Sequence, residues 1–210
     1  GSNRSEAENE HSTALVAIDA TTGELAWQFQ TVRRDVWDYD LGSQPTLLDF
    51  PQDGDTVPAI LLPSKQGDIY VLNRETGESL QPVEEFEVPT KGDIEPDYLS
   101  DTQPVSTYHT LRYEPLQEKD MYGMSPPDQL YCRIQFRRAN YEGFFQPPTA
   151  DKPYIQYPGY NGGSDWGSVA VDTDRGIIVA NYNDIPNYNQ LIPQEETDWP
   201  IITDGGDSGE

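Results

Sequence analysis

Pro45-Thr-Leu-Leu-Asp-Phe50, Val57-Pro-Ala-Ile-Leu-Leu62, Asp68-Ile-Tyr-Val-Leu-Asn73 and Glu78-Ser-Leu-Gln-Pro-Val83 follow one another, separated by Gln52-Asp-Gly-Asp55, Lys65-Gln-Gly67 and Arg74-Glu-Thr-Gly77. Short runs rich in apolar residues, spaced about ten residues apart and bounded by Gly, Asp and Asn, read as antiparallel strands joined by tight turns. The four runs predict one four-stranded sheet, the unit that a β-propeller repeats as its blade. Upstream, Ala14-Leu-Val-Ala-Ile-Asp19 and Glu24-Leu-Ala-Trp-Gln-Phe-Gln-Thr-Val32 flank Ala20-Thr-Thr-Gly23 and predict a hairpin. Downstream, Ser168-Val-Ala-Val-Asp172 and Ile177-Ile-Val-Ala-Asn-Tyr182 flank Thr173-Asp-Arg-Gly176 and predict another. The expectation is therefore an all-β chain: a half blade over about 14–32, a full blade over about 43–87 and the start of a further blade over about 166–183. A propeller needs about four blades to close, so the chain is read as a fragment of one.

Two Thr-Gly turns form an internal repeat, Ala17-x-Asp19-x-x-Thr22-Gly23-x-x-x-Trp27 and Leu72-Asn73-Arg74-x-Thr76-Gly77. Asp or Asn before the turn accepts hydrogen bonds from the backbone beyond it, and Gly supplies a positive φ. A hairpin does not require tryptophan at a fixed offset, but a ring there can wedge between neighbouring sheets.

Residues 84–160 are rich in proline and tyrosine and poor in periodicity, which makes the stretch from about 88 to 160 a long insertion. Its aromatic content favours an ordered excursion packed on a sheet over disorder. Within it, Glu118–Tyr122 predicts a helical turn and the alternating Gln129–Phe136 a strand. That strand would bury Cys132, the one cysteine, as a small hydrophobe rather than a nucleophile. Residues 1–13 read as a polar loop and residues 194–210 as an acidic, frayed tail.

The chain has 210 residues, 35% hydrophobic and 11% aromatic, enough for a core. Its 37 acids against 13 bases give a formal charge of −24, which argues against nucleic acid or an anionic membrane surface as a partner. The acidity fits a surface kept hydrated in high salt, or an ordinary acidic secreted protein. The N-terminus lacks the apolar core of a signal peptide and no run approaches the ~20 residues of a membrane span. Either the protein is cytoplasmic or its targeting segment lies outside this sequence. His11 and His109 are too isolated to be metal ligands.

Thr31-Val-Arg-Arg-Asp-Val-Trp-Asp-Tyr-Asp40 sets three carboxylates among two rings, and Lys65 stands where the run Val57–Leu62 ends. A carboxylate base and a cation at strand ends form the starting chemical hypothesis.

The tryptophan-bearing repeat resembles the docking motif of eight-bladed quinoprotein dehydrogenases, which bind pyrroloquinoline quinone (PQQ). The likeness runs nearly the whole length. Trp37-Asp38-Tyr39-Asp40, Gln44-Pro45-Thr46, Lys65-Gln66-Gly67, Val71-Leu72-Asn73-Arg74, Asp128-Gln-Leu130, Cys132-Arg-Ile134 and Trp166-Gly-Ser-Val-Ala-Val-Asp172 resemble the membrane-bound glucose and quinate dehydrogenases. That resemblance implies that Asp38, rather than Asp35 or Asp40, is the catalytic base, and that Lys65 contacts the reactive edge of the quinone. A base takes the hydroxyl proton while hydride leaves for the quinone, and a fixed ammonium stabilises the charge that develops there. It also implies that Trp166 and Gly167 approach the cofactor and that Asn161 contacts it, with Tyr160 standing where the family's asparagine follows a Pro-Gly pair. Arg33 replaces a frequent histidine and changes a polar contact near the substrate entrance.

By the same resemblance the family uses Ca²⁺ as a Lewis acid, near Asp38 but with its principal ligands outside this sequence, so no metal ligand is assigned here. The expectation is a sugar or cyclic polyol oxidised with ubiquinone as acceptor, on the periplasmic side of the inner membrane, anchored by segments not present here. Rival readings are a quinate/shikimate or simple alcohol dehydrogenase and, from another class, a non-catalytic propeller scaffold that keeps only the docking repeats.

Overall fold

The protein is described by a computed structural model covering residues 4–93, 98–193 and 196. The expected hairpin forms from β1 (Ala14–Ile18) and β2 (Leu25–Gln30), paired from Ala14↔Gln30 to Ala17↔Trp27. Its turn closes as its residues require. The Asp19 carboxylate accepts from the Thr21 and Thr22 amides at 2.7 and 3.0 Å, and Gly23 sits at φ +76°. The second repeat copies it: the Asn73 side chain accepts from the Glu75 amide at 2.8 Å and the Thr76 amide at 3.3 Å, and Gly77 sits at φ +75°.

The central sheet runs β3 (Thr46–Gln52), β4 (Asp55–Pro63), β5 (Asp68–Asn73) and β8 (His109–Thr110). Both faces of β4 and β5 are covered, which is why their sequences read as near-continuous apolar runs. Ala59, Leu61, Ile69 and Val71 face Phe50 and Val169, with Ile178 and Ala180 behind. Ile60, Leu62, Tyr70 and Leu72 face Leu15, Trp27 and Phe29 of the first hairpin. The sheet thus lies between β1–β2 and the second expected hairpin, β10 (Val169–Asp172) with β11 (Ile177–Ala180). Trp27 is the wedge: its ring lies over Gly77 and its Nε1 donates to the Arg74 carbonyl at 3.2 Å.

Three local expectations are corrected. The run Glu78–Val83 is not the fourth strand of the sheet. It follows β5 only briefly, with a bridge at Leu72↔Ser79 and the Leu80 amide donating to the Val71 carbonyl at 2.8 Å. Pro82 cannot donate to a ladder, and the chain leaves to form β6 (Val83–Glu87) against β7 (Thr102–Ser106). The rest of the β5 edge is taken by β8, paired Asp68↔Thr110 and Ile69↔His109.

Gln129–Phe136 is not a strand but lies within α2 (Pro126–Arg138), so Cys132 is half-buried on a helix. Ser125 caps it and Pro126-Pro127 occupy its first positions, where a missing N–H costs nothing. Arg133 and Arg137 both pair with Glu118 of the 3₁₀ turn Glu118–Asp120, which matches the helical turn expected there.

Residues 1–13 are not all loop, because α1 (Glu6–His11) starts from a capping box between Ser5 and Glu8. The described residues of the insertion are ordered, as its aromatic content suggested, and it ends in β9 (Tyr154–Gln156), which pairs with β12 (Asn187–Asn189). The acidic tail, apart from Glu196, lies outside the described residues.

Candidate active site

The loop from Thr31 to Asp40 is shaped by its rings. Trp37 and Tyr39 are both 1% exposed and stack at 6.3 Å between centroids, with Phe145 edge-on to each. Polar tips of that size need partners when buried. Trp37 Nε1 donates to the Gln146 carbonyl at 2.9 Å, and the Tyr39 hydroxyl donates to the Pro158 carbonyl. Asp35 fastens the loop from within, accepting from the Trp37 and Tyr39 amides at 2.8 Å each and from Thr13 Oγ1 at 3.2 Å. Burial raises the Asp35 pKa against the pull of those amides.

With Trp37 and Tyr39 turned inward, Asp38 and Asp40 turn outward, and Asp38 takes φ +61° to do so. A non-glycine residue in that region is uncommon, and Asp tolerates it better than most.

Lys65 lies in the turn between β4 and β5, its side chain 8% exposed, and reaches these two carboxylates. Its Nζ donates to the Asp38 carbonyl at 3.0 Å, to Asp38 Oδ2 at 3.3 Å and, most closely, to Asp40 Oδ1. Burial alone would push the Lys65 pKa down; the hydrogen bond to Asp40 and the charges of Asp40 and Asp38 outweigh it and hold the pKa up. The Asp38 and Asp40 side chains remain 64% and 61% exposed, so the pair opens outward.

The glycine-rich segment packs on the other side of Lys65. The Gly163 amide donates to the Lys65 carbonyl at 2.7 Å, and a Cβ on Gly162, at φ +77°, would stand 2.5 Å from Lys65 Cγ. Only glycine permits that approach. Asp165 follows. Burial and the charges of Asp40 and Asp38 raise its pKa, while Lys65 pulls it down.

Of the residues expected at the site, Asp38 and Lys65 are brought together across 27 positions of chain. Asn161 is exposed one residue before Gly162. Trp166 is 86% exposed, and nothing lies within 4 Å of a Cβ built on Gly167. Sequence reasoning set Asp40 aside as structural and overlooked Asp165; a glycine pair just ahead of an acid was the available signal for the latter. Arg33 does not point to this centre. Its guanidinium makes two 2.6 Å bonds to Glu85, and the Gln103 amide bridges its backbone at 2.8 and 2.9 Å, tying the loop to β6–β7.

Behind Lys65, Asp68 is fully buried against Arg112 at 3.0 Å. Burial lifts the Asp68 pKa to about 6 despite that partner. Among the described residues, no three His, Cys, Asp or Glu side chains are grouped to hold a metal ion, and no helix is long and apolar enough to cross a membrane.

Residues 1–207 match the family described as PQQ, glucose/ethanol/alcohol dehydrogenase, β-propeller domain. The chain is 56% identical over 93% of its length to the glycerol dehydrogenase large subunit of Gluconobacter thailandicus, covering 27% of that protein. It is 40% identical over 92% of its length to the quinoprotein glucose dehydrogenase of Escherichia coli, covering 24% of it. It thus spans about a quarter of the length of the curated relatives it matches. Among solved structures, the quinohemoprotein alcohol dehydrogenase ADHIIG of Pseudomonas putida HK5 superposes with a TM-score of 0.52 at 22% identity, over 90% of this chain and 22% of that one. That likeness concerns the fold, a partial β-propeller.

Proposed function

The chain belongs to the PQQ glucose/ethanol/alcohol dehydrogenase β-propeller family, and on that premise we propose that it forms part of the catalytic face of a dehydrogenase oxidising the CH–OH group of a polyol or sugar. The observation that carries the proposal is the convergence of Asp38 and Lys65 on one open face. Residues 14–32 are read as the end of one blade, the sheet of β3, β4, β5 and β8 as the next, and residues 166–183 as the start of a further one, with the excursion up to residue 160 contributing β8 to the middle sheet.

The residues suit the cofactor. A quinone presents acceptor oxygens, and Lys65 is a buried ammonium at the edge of an exposed acidic pair. Further along the glycine-rich segment, the exposed Trp166 ring and the open space at Gly167 leave room for a flat group. PQQ, when bound, supplies a two-electron acceptor. Asp38, outward-facing and held by the anchored rings on either side, takes the hydroxyl proton of the substrate. Lys65 stabilises negative charge developing at the acceptor edge, and because Asp40 and Gly162 fix it in advance, little reorganisation is needed at the moment of reaction. Lys65, Asn161, Trp166 and Gly167 would hold the cofactor from this side. The Ca²⁺ that accompanies PQQ would draw its ligands mainly from elsewhere in the protein.

Substrate identity follows from the relatives' names only as a preference. The higher identity to a glycerol dehydrogenase large subunit than to a glucose dehydrogenase favours a small polyol. Ubiquinone as acceptor and a periplasmic, membrane-anchored setting are part of the same proposal.

The test is dye reduction by the full-length protein reconstituted with PQQ and Ca²⁺, using glycerol, glucose and quinate as substrates. Substrate-dependent turnover lost in Asp38→Asn supports the reading. No turnover with any substrate by the unmodified protein sinks it in favour of a scaffold.

A further inference from the structure

An ammonium has three N–H donors, and all three of Lys65 are engaged: with the Asp38 carbonyl at 3.0 Å, with Asp38 Oδ2 at 3.3 Å and with Asp40 Oδ1. A fourth acceptor at this ammonium must displace one of them. The contact to Asp38 Oδ2 is the longest, and it is also the one that weakens once Asp38 has taken a proton and lost its charge. Asp40 takes no proton in that reaction and makes the closest contact. We propose that Asp40 is the positioning residue of the site: it keeps the Lys65 ammonium charged and in place while Asp38 changes charge, so that the base and the cation work independently although they start as an ion pair.

The local backbone supports this division. Tyr39 is anchored through its hydroxyl to the Pro158 carbonyl and through its amide to Asp35. Asp40, the next residue, is thereby placed at Lys65 without depending on Asp38. The groups facing Lys65 are Asp38 and Asp40 from this loop and Asp165 from the glycine-rich segment. One cation among three acids would be drawn toward whichever is nearest. Asp40 is the nearest of the two that hydrogen-bond it, and the Gly162 backbone blocks retreat along the lysine stem. The inference rests on the proposed roles of Asp38 and Lys65.

The experiment compares Asp40→Asn, Asp40→Glu and Asp38→Asn in the full-length protein. In the cofactor-free form, competitive acetylation across about pH 8 to 11, read residue by residue by mass spectrometry, follows the charge of Lys65. Lys91, Lys119 and Lys152 serve as internal standards. Asp40→Asn is expected to raise Lys65 acetylation at a fixed pH by roughly 3- to 10-fold, the effect of a partly exposed partner worth up to about one pKa unit. Asp40→Glu should return it toward the original value, and Asp38→Asn should change it less than Asp40→Asn.

In the PQQ-loaded protein, Asp40→Asn should lower kcat and move its alkaline limb to lower pH with KM little changed. A Lys65 acetylation profile unmoved by Asp40→Asn overturns the inference, as does a larger effect from Asp38→Asn. Full turnover in Asp38→Asn would instead overturn the assignment of the base, while acetylation still judges the hold of Asp40 on Lys65.

Discussion

Replacing Gly77 by Ala tests whether the tryptophan of one hairpin and the turn of the next sheet are one mechanical unit. Two effects are expected and can be separated. Gly77 sits at φ +75°, where an L-residue costs about 1–2 kcal/mol. The added Cβ would also stand 2.6 Å from Trp27 Cε3, 2.7 Å from Cδ2 and 3.0 Å from Cγ. A rigid ring held by a hydrogen bond to the Arg74 carbonyl cannot swing aside as a flexible chain does, and overpacking of this kind costs about 1–3 kcal/mol. Together Gly77→Ala should destabilise by about 2–5 kcal/mol.

In a Trp27→Ala background the overlap vanishes and only the backbone cost of about 1–2 kcal/mol remains, a coupling of about 1–3 kcal/mol between the two sites. Gly54→Ala is a control for the backbone alone, since Gly54 has φ +94° and nothing within 4 Å of its Cβ position. Urea unfolding of the parent protein, the two single variants, the double variant and the Gly54→Ala control, followed by circular dichroism, measures each quantity. An equal cost of Gly77→Ala with and without the Trp27 ring would refute the docking argument.

Other outcomes follow from the buried polar groups. Arg112→Met strands the Asp68 carboxylate in the interior and should cost about 3–5 kcal/mol, whereas the double variant with Asp68→Asn should recover much of it. The Asp68 pKa, pushed up to about 6 by burial from an ordinary carboxylate value of 3.8, means that the folded state binds a proton more readily than the unfolded chain. Stability from this group therefore falls as pH rises from about 4 through 6, and the Arg112→Met deficit should narrow in urea titrations at about pH 5 relative to pH 7.

Glu85 behaves oppositely. Its hydrogen bonds to Arg33 hold its pKa at about 2, so its contribution is present above about pH 4.5 and lost as pH falls toward 2. Because both partners are partly exposed, Glu85→Gln should cost no more than about 1 kcal/mol at pH 7, and the difference in midpoint should vanish near pH 2. Asp35→Ala should cost about 2–4 kcal/mol by leaving the Trp37 and Tyr39 amides without their acceptor. It should also lower kcat more than it raises KM, as steady-state kinetics would show, because those amides set the direction of Asp38.

Much of this was legible in the amino-acid sequence, for identifiable reasons. The runs from Thr46 to Asn73 announce strands because Gly54 and Gly67 punctuate them and both faces are apolar. The Asp19 and Asn73 turns can be read from side chains that must close them, and Trp27 from its offset. The meeting of Asp38 with Lys65 was anticipated from their places beyond strand ends and from the family resemblance.

What escaped was decided by groups far away in sequence. The alternation in Gln129–Phe136 suggested a strand, but Ser125 caps the run and Pro126-Pro127 start a helix that carries it instead. Ser5 and Glu8 carried a capping signature that a polar loop reading passed over. Asp40 could not be ranked against Asp38 by spacing, because the positive φ at Asp38 depends on Trp37 and Tyr39 being bound by residues 146 and 158.

The outer rim of β5 has a practical consequence for anyone wishing to simplify this protein. One end is zipped by residues 78–80 and the other by His109 and Thr110, so the excursion supplies part of the seam it departs from. Trimming it to a short linker would strip the amides and carbonyls around Asp68 and Ile69 of their mates and leave a raw strand border. A minimised version would then be expected to stick to copies of itself, and a useful truncation must keep Thr107–Leu111 or graft a substitute for them.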